Sequence, residues 1–342
     1  MLGSTIAPGT DRVYAAGWRS WLRFCSECSV MNLHLNPPEH LLCAYVAWLA
    51  KPVLPKRPRG VAVSTVKSYL AGIAHAHAMR GLPSPTANAP LLRRVLKGHM
   101  RLRGIGTKQK RPITVGLLFL LRAQVDTSND LHRTVYAAMC VGVHGLVRLG
   151  ELLPKSDSGR TPMTQAAVYF APGGTHATLF LPVSKTDPFG AGTRIHLFAS
   201  HDATCPIAAL HVLLDAKLSP CAPLIRNGNK ALSRDTFITS LRALITRTEA
   251  RLKIGLCAKN FAGHSMRRGG ATSLANRGAP EHFIQWLGRW KSDTYRIYID
   301  YPPEAVAHWL GSLSRTPQSI MQADINAALR PSPAPNVLTW LT

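Results

Sequence analysis

Acidic residues are scarce in this chain: 17 Asp and Glu stand against 41 Lys and Arg, a formal net charge of +24. Between Glu39 and Asp126 there is no acidic residue at all. That stretch instead carries Lys56, Arg57, Arg59, Lys67, Arg93, Arg94, Lys97, Arg101, Arg103, Lys108, Lys110 and Arg111. A one-signed field of this length disfavours acidic partners and favours a polyanion, because each phosphate neutralised releases condensed counterions. The basic residues are not gathered on one amphipathic helix, so nucleic acid fits better than an anionic membrane surface. These twelve are the candidate DNA-binding residues.

Long apolar runs are also missing. No stretch of 18 apolar residues occurs, which excludes a conventional membrane-spanning helix, and the N-terminus lacks the basic-then-apolar pattern of a secretion signal. The seven cysteines are odd in number and fit a reducing compartment better than a disulfide framework. Cys25 and Cys28 form a C-x-x-C with no second pair. Their setting among Trp18, Trp21, Leu22 and Phe24 reads as the apolar face of a helix, with both cysteines buried and no metal bound.

What is present divides the chain. The first hundred residues read as helices: an aromatic-striped one over 11–28, then 39–49, 64–79 with Ser64 and Thr65 as caps, and a basic one over 90–101. A glycine-bearing basic stretch follows. Helical patterns return at 115–125 and 131–143, strand-like runs at 165–170, 177–183 and 193–198, and further helices over 207–216, 234–251, 265–277 and 281–286. The expected organisation is a helical domain over 1–105, a basic linker over 106–113, a mixed domain over 114–315 and a tail over 316–342. The fold class is mainly α with a small antiparallel sheet.

Breaking a phosphodiester without a metal requires a nucleophile, cations to hold the phosphate charge and an acid for the leaving oxygen. The second half carries such groups in order: Arg148 and Glu151 in Gly145-Leu-Val-Arg-Leu-Gly-Glu151, Lys185 in a polar turn between two strands, His264 and Arg267 in His-Ser-Met-Arg, then Trp290 and Tyr298. Taken singly, each has an ordinary reading, as a surface ion pair, a solvated turn lysine or a packed aromatic. Together, in this order, they point to one chemistry.

Three motifs carry a resemblance: Ser184-Lys-Thr-Asp-Pro-Phe-Gly190, His264-Ser-Met-Arg-Arg-Gly-Gly-Ala-Thr272 and Gly288-Arg-Trp-Lys-Ser-Asp293. With Trp18-Arg-Ser-Trp-Leu-Arg-Phe-Cys25, Ser64-Thr-Val-Lys-Ser-Tyr-Leu-Ala-Gly72 and Lys110-Arg-Pro-Ile-Thr114, the chain resembles the tyrosine recombinase (phage integrase) superfamily over roughly residues 10–312. Within it the chain looks closest to the branch carried by DIRS-type and Crypton-type mobile elements. The resemblance implies a helical SAM-like core-binding domain and an α+β catalytic domain. It implies a site-specific recombinase that acts on double-stranded DNA without metal or other cofactor, as a homotetramer at synapsis. It further implies that Arg148 and Arg267 clamp the phosphate, Lys185 protonates the leaving 5′ oxygen and His264 manages the nucleophile's proton. Trp290 would donate its indole N–H, Glu151 would orient the arginine and histidine, and Tyr298 would attack phosphorus. Tyr295 and Tyr301 lie three residues either side of Tyr298, with Tyr295 the reserve nucleophile. Arg289 stands where histidine or glycine is common in integrases and reads as variation within the branch. The branch, with the basic Lys56-Arg-Pro-Arg59, implies a nuclear location. Other readings fit parts of the pattern: a non-catalytic DNA-binding protein derived from a mobile element, a type IB topoisomerase, or a basic coat protein.

Overall fold

The computed structural model describes residues 6–52, 60–103, 109–153, 162–182, 187, 190–301 and 306–307. They divide into two compact units, the first drawn from residues 1–110, 154–162 and 182–192 and the second from 111–153, 163–181 and 193–342. The three-stranded antiparallel sheet among many helices matches the mainly α class read from the sequence. Among the described residues no helix is long and apolar enough to cross a membrane.

Among the described residues the first unit has four α-helices: α1 (Pro8–Glu27), α2 (Glu39–Ala50), α3 (Val63–Ala78) and α4 (Pro90–Arg103). The aromatic stripe of α1 turns inward, with Trp21, Phe24 and Cys25 buried, and Trp21 meets the Tyr45 ring of α2 edge-on at 5.2 Å. Leu42 and Val46 of α2 and Val66, Leu70 and Ile73 of α3 complete the core. Each large apolar side chain buried in this way contributes roughly 1.5–3 kcal/mol. The Cys25 thiol is pushed up to about 11, first by burial, whereas Cys28 is exposed at the end of α1. The expectation of two buried cysteines is therefore corrected: the helix stops at Glu27, so Cys28 leaves the apolar face. The caps expected at Ser64 and Thr65 are also displaced, because α3 starts at Val63 with Ala62 in the cap position.

The fourth helix buries only Leu92 and His99. The Leu92 amide donates to Glu39 Oε1 at 2.9 Å, placing the last acid before the acid-free stretch at the positive end of α4. His99 Nε2 meets the Val61 carbonyl at 3.2 Å. The opposite side of α4 faces solvent.

The second unit begins with α5 (Val115–Arg122) and α6 (Asp130–His144), capped by the Thr114 and Asn129 side chains. Every residue of α6 from Val135 to Val143 is buried, so this helix is the centre of the core. The short α7 (Leu149–Leu152) follows. Three strands, β1 (Val168–Phe170), β2 (His176–Leu181) and β3 (Thr193–Phe198), pair antiparallel in chain order, with Val168 opposite Leu179 and Leu179 opposite Ile195. Ala177, Leu179, Leu181, Ile195 and Leu197 point inward, the alternation of a sheet with one covered face. Then come α8 (Pro206–Leu213), a hairpin of β4 (Arg226–Asn227) and β5 (Lys230–Ala231), α9 (Arg234–Leu252), α10 (Ser265–Ala275) and α11 (Glu281–Leu287), ending in a 3-10 turn over Asp293–Tyr298.

The strand expected from residue 165 begins only at Val168. Gln165–Ala167 form a 3-10 turn, because the Gln165 carboxamide bonds the backbone of Asp215 and Ser219.

Candidate active site

The central helix α6 ends at His144, and the chain turns sharply through Gly145, Leu146 and Val147 before Arg148 opens α7. Leu146 holds a left-handed φ of 48°. That turn aims the Leu146 carbonyl at the side of the unit where α10 packs.

Helix α10 approaches closely enough to use that carbonyl because of its Gly269-Gly270 pair. A Cβ on Gly269 would lie 1.7 Å from the Ile113 carbonyl oxygen, and one on Gly270 2.2 Å from that of Val143. Arg267 is thereby driven fully into the protein, at 0% exposure. Its Nη1 donates to the Leu146 carbonyl at 2.7 Å and its Nη2 to the Gly288 carbonyl. The Trp290 ring lies over it, 4.0 Å from Cζ to the ring centre, a cation–π contact in a desolvated setting. Arg267 Nε is buried without a hydrogen-bond partner among the described residues.

Arg148 stands at the cap of α7, and Glu151, three residues on, answers it twice. Glu151 Oε2 accepts from the Arg148 backbone amide at 2.9 Å and Oε1 from its guanidinium at 2.7 Å. The Glu151 side chain is 2% exposed and Arg148 18%, so this is no solvated surface pair. Glu151 has a second cation: Arg289 Nη2 donates to its Oε2 at 3.0 Å. Three guanidiniums, of Arg148, Arg267 and Arg289, therefore sit around one carboxylate, an excess of two positive charges. The Arg267 guanidinium is pushed down to about 9, first by desolvation and then by the neighbouring Arg148 and Arg289 charges, with Glu151 and Tyr298 opposing. Burial likewise lowers Arg289, with Glu151 opposing. Such a cluster is built for an anion: a dianionic or monoanionic oxyanion would offset the excess charge and accept the remaining N–H donors.

The three tyrosines separate clearly. Tyr295 is buried and its hydroxyl donates to Glu281 Oε2 at 2.6 Å, which raises its pKa. Tyr301 is 52% exposed. Tyr298 is half-buried, its ring 5.2 Å from that of Trp290, 6.4 Å from that of His264 and 6.0 Å from the Arg267 guanidinium. Its backbone is tied to α10 on both sides. Arg268 Nη1 donates to the Ile297 carbonyl at 2.6 Å and the Arg268 guanidinium pairs with Asp300. The Thr272 hydroxyl donates to the Tyr298 carbonyl at 3.2 Å and accepts from the Asp300 amide at 3.1 Å.

The structure thus brings together Arg148, Glu151, His264, Arg267, Trp290 and Tyr298 of the sequence-predicted set. Lys185 lies outside the described residues, as do Lys56, Arg57, Arg59, Lys108 and the tail from 316. Lys67 is exposed on α3, and Arg93, Arg94, Lys97 and Arg101 are exposed on α4. Arg103 and Lys110 are half-buried, and Arg111 is exposed with Nη1 donating to the Gly255 carbonyl at 3.2 Å. Sequence reasoning missed Arg289, Arg268 and Thr272 as parts of the site. The four-residue spacing of Arg268 and Thr272 on one helix was the available signal for the pair.

No family model matches the chain. An integrase/recombinase XerD homolog of Selenomonas ruminantium is 27% identical over 297 residues, spanning 85% of this chain and 81% of that protein. Among solved structures, the XerH site-specific recombinase bound to a palindromic difH substrate, a post-cleavage complex, aligns with a TM-score of 0.56 at 14% identity, covering 89% of this chain and 79% of that one. The Tn1549 transposon integrase in complex with transposon right end DNA aligns with a TM-score of 0.50 at 11% identity, covering 90% of this chain and 99% of that one. In sequence over most of its length, and in fold, the chain is similar to the site-specific recombinases and integrases of the tyrosine recombinase superfamily.

Proposed function

We propose that this protein is a site-specific DNA recombinase that breaks and rejoins strands through a 3′-phosphotyrosyl link to Tyr298. The observation that carries this reading is the placing of one half-buried tyrosine against a buried cluster of three arginines and one carboxylate, an anion site with a nucleophile at its edge. A scissile phosphate held by Arg148 and Arg267 would have its negative charge balanced where the attack concentrates it. The Tyr298 oxygen bonds phosphorus as its proton passes to His264, and the bond from phosphorus to the 5′ oxygen breaks as Lys185 supplies the departing oxygen with a proton. The link conserves the phosphodiester's energy, so a 5′ hydroxyl of another strand reverses the step without ATP. Double-stranded DNA is the partner this reading requires, consistent with the DNA-bound state of the XerH and Tn1549 proteins. Assembly of four protomers at synapsis, a home in a DIRS-type or Crypton-type mobile element and a nuclear location are finer parts of the same proposal.

The test is a nicked suicide substrate that traps the covalent adduct. Unaltered protein is expected to form it, and Tyr298→Phe to form none. An adduct that survives Tyr298→Phe would move the nucleophile to Tyr295. No adduct from the unaltered protein would favour a DNA-binding protein without catalysis, and relaxation of supercoiled plasmid without strand exchange a topoisomerase.

A further inference from the structure

Arg289 is the arginine of the cluster that the reaction just described does not use, and its surroundings give it a task. It holds a φ of 57°, a left-handed conformation that a non-glycine residue keeps only where the surroundings enforce it. Its side chain is 13% exposed, too buried for a solvated surface arginine. On one flank Gly288 has no room for a side chain, since a Cβ there would lie 1.6 Å from the Trp290 ring. This short turn therefore supplies the cluster three times: the Gly288 carbonyl and the Trp290 ring to Arg267, and the Arg289 guanidinium to Glu151.

The acceptors of Arg289 are the informative part. Its Nη2 donates to Glu151 Oε2 at 3.0 Å and to the Leu146 carbonyl at 3.3 Å, and its Nη1 reaches the Gly145 carbonyl at 3.5 Å. Glu151 is the carboxylate that holds Arg148, and the Leu146 carbonyl is the acceptor that holds Arg267. Arg289 thus shares an acceptor with each of the other two arginines. One nitrogen, Nη2, meets both of these acceptors, and the second arm of the planar fork, Nη1, reaches the Gly145 carbonyl and fixes the plane of the group, a second point that an ammonium lacks.

We propose that Arg289 is a positioning residue for DNA cleavage: it fixes Glu151 and the Leu146 carbonyl, and through them sets the spacing and orientation of the Arg148 and Arg267 guanidiniums on the scissile phosphate. The proposal rests on the recombinase reading above. It differs from a third phosphate contact, because a contact acts on binding whereas a positioning residue acts on the rate with DNA already bound.

The experiment measures adduct formation on the suicide substrate and, separately, the Kd for an uncleavable duplex of the same sequence, for the unaltered protein, Arg289→Gly and Arg289→Lys. Glycine adopts the left-handed backbone freely, so Arg289→Gly removes the guanidinium while easing the turn. Groups that orient site residues from behind are typically worth about 10–100-fold in activity. The expected result is a fall of that size in the cleavage rate of both variants with Kd changed by less than about threefold, and partial rescue of Arg289→Gly by added guanidinium ion but not by methylammonium. Cleavage at the unaltered rate in Arg289→Gly would overturn the proposal. A loss of binding that accounts for the loss of cleavage would overturn it too, making Arg289 a phosphate contact. Should Arg289→Gly fail to fold, Arg289→Lys decides: full activity in that variant overturns the proposal, and slow cleavage at unchanged Kd supports it. No adduct from the unaltered protein would overturn the functional reading and this inference together, whereas an adduct undiminished in both variants removes the inference alone.

Discussion

At the scale of single residues, Glu151 is, among the described residues, the carboxylate that offsets the charge of the cluster before an anion arrives. Its carboxylate is almost wholly buried and bonds two arginines. Replacing it by glutamine keeps the shape but leaves three guanidiniums facing one another. Removing one partner of a buried ion pair typically costs about 3–5 kcal/mol, so Glu151→Gln is expected to lower Tm markedly. Inorganic sulfate or phosphate should then restore part of the loss by occupying the charge the carboxylate left, more than chloride at equal ionic strength, and Arg267→Ala should abolish that added gain. Thermal unfolding with and without the anion checks it, and equal effects of sulfate and chloride would refute an anion site here. Much of this cluster was legible in the sequence, because residue type and order suffice to nominate Arg148, Glu151, His264, Arg267, Trp290 and Tyr298. Arg289 was not. Nothing local marks a guanidinium as buried, and its acceptors Gly145, Leu146 and Glu151 lie more than a hundred residues away in the chain. What separates the tyrosines is equally tertiary: Glu281 captures the Tyr295 hydroxyl, whereas the Tyr298 ring lies against Trp290 and the Arg267 guanidinium.

Among the elements, α10 carries the heaviest duty: Arg267 faces the cluster, Arg268 and Thr272 hold the Tyr298 segment, and Gly269-Gly270 allow the approach. Gly269→Ala would drive a methyl into the backbone at Ile113, and Gly270→Ala into Val143. Backbone yields less readily than side chains, so a cost at or above the usual 1–3 kcal/mol of overpacking is expected for each. At roughly 2–4 °C per kcal/mol for a domain of this size, each variant should unfold several degrees lower, a shift that calorimetry resolves. The same elements show what periodicity can and cannot reveal. The β3 strand lies at Thr193–Phe198, as its alternation predicts, and α2 and α9 start at the residues expected. The β4–β5 hairpin has two residues a strand, too few to display any period, and passed unnoticed. Gln165–Ala167 read as strand because the bonds that turn them come from a segment 50 residues distant.

For the whole molecule, the dominant quantity is charge, and its least ambiguous outlet is α4. Leu92 and His99 face inward at a spacing of seven, while Arg93, Lys97 and Arg101 follow one another at intervals of four along the solvent side with Arg94 beside them. Residues at that spacing share a helix face, and Glu39 is bonded to the α4 amide of Leu92 at the far end from Arg101. If this stripe lies along DNA backbone, each phosphate it neutralises contributes about 0.9 to the slope of log affinity against log salt. Replacing all four cations by glutamine should reduce that slope by about 3–4 and weaken binding similarly on every sequence. Cleavage of DNA already bound should change little, since none of the four lies in the arginine cluster. Titrations of a duplex at several salt concentrations measure the slope directly. An unchanged slope would mean that the stripe faces solvent in the complex, and that the chain's excess charge meets DNA through other residues.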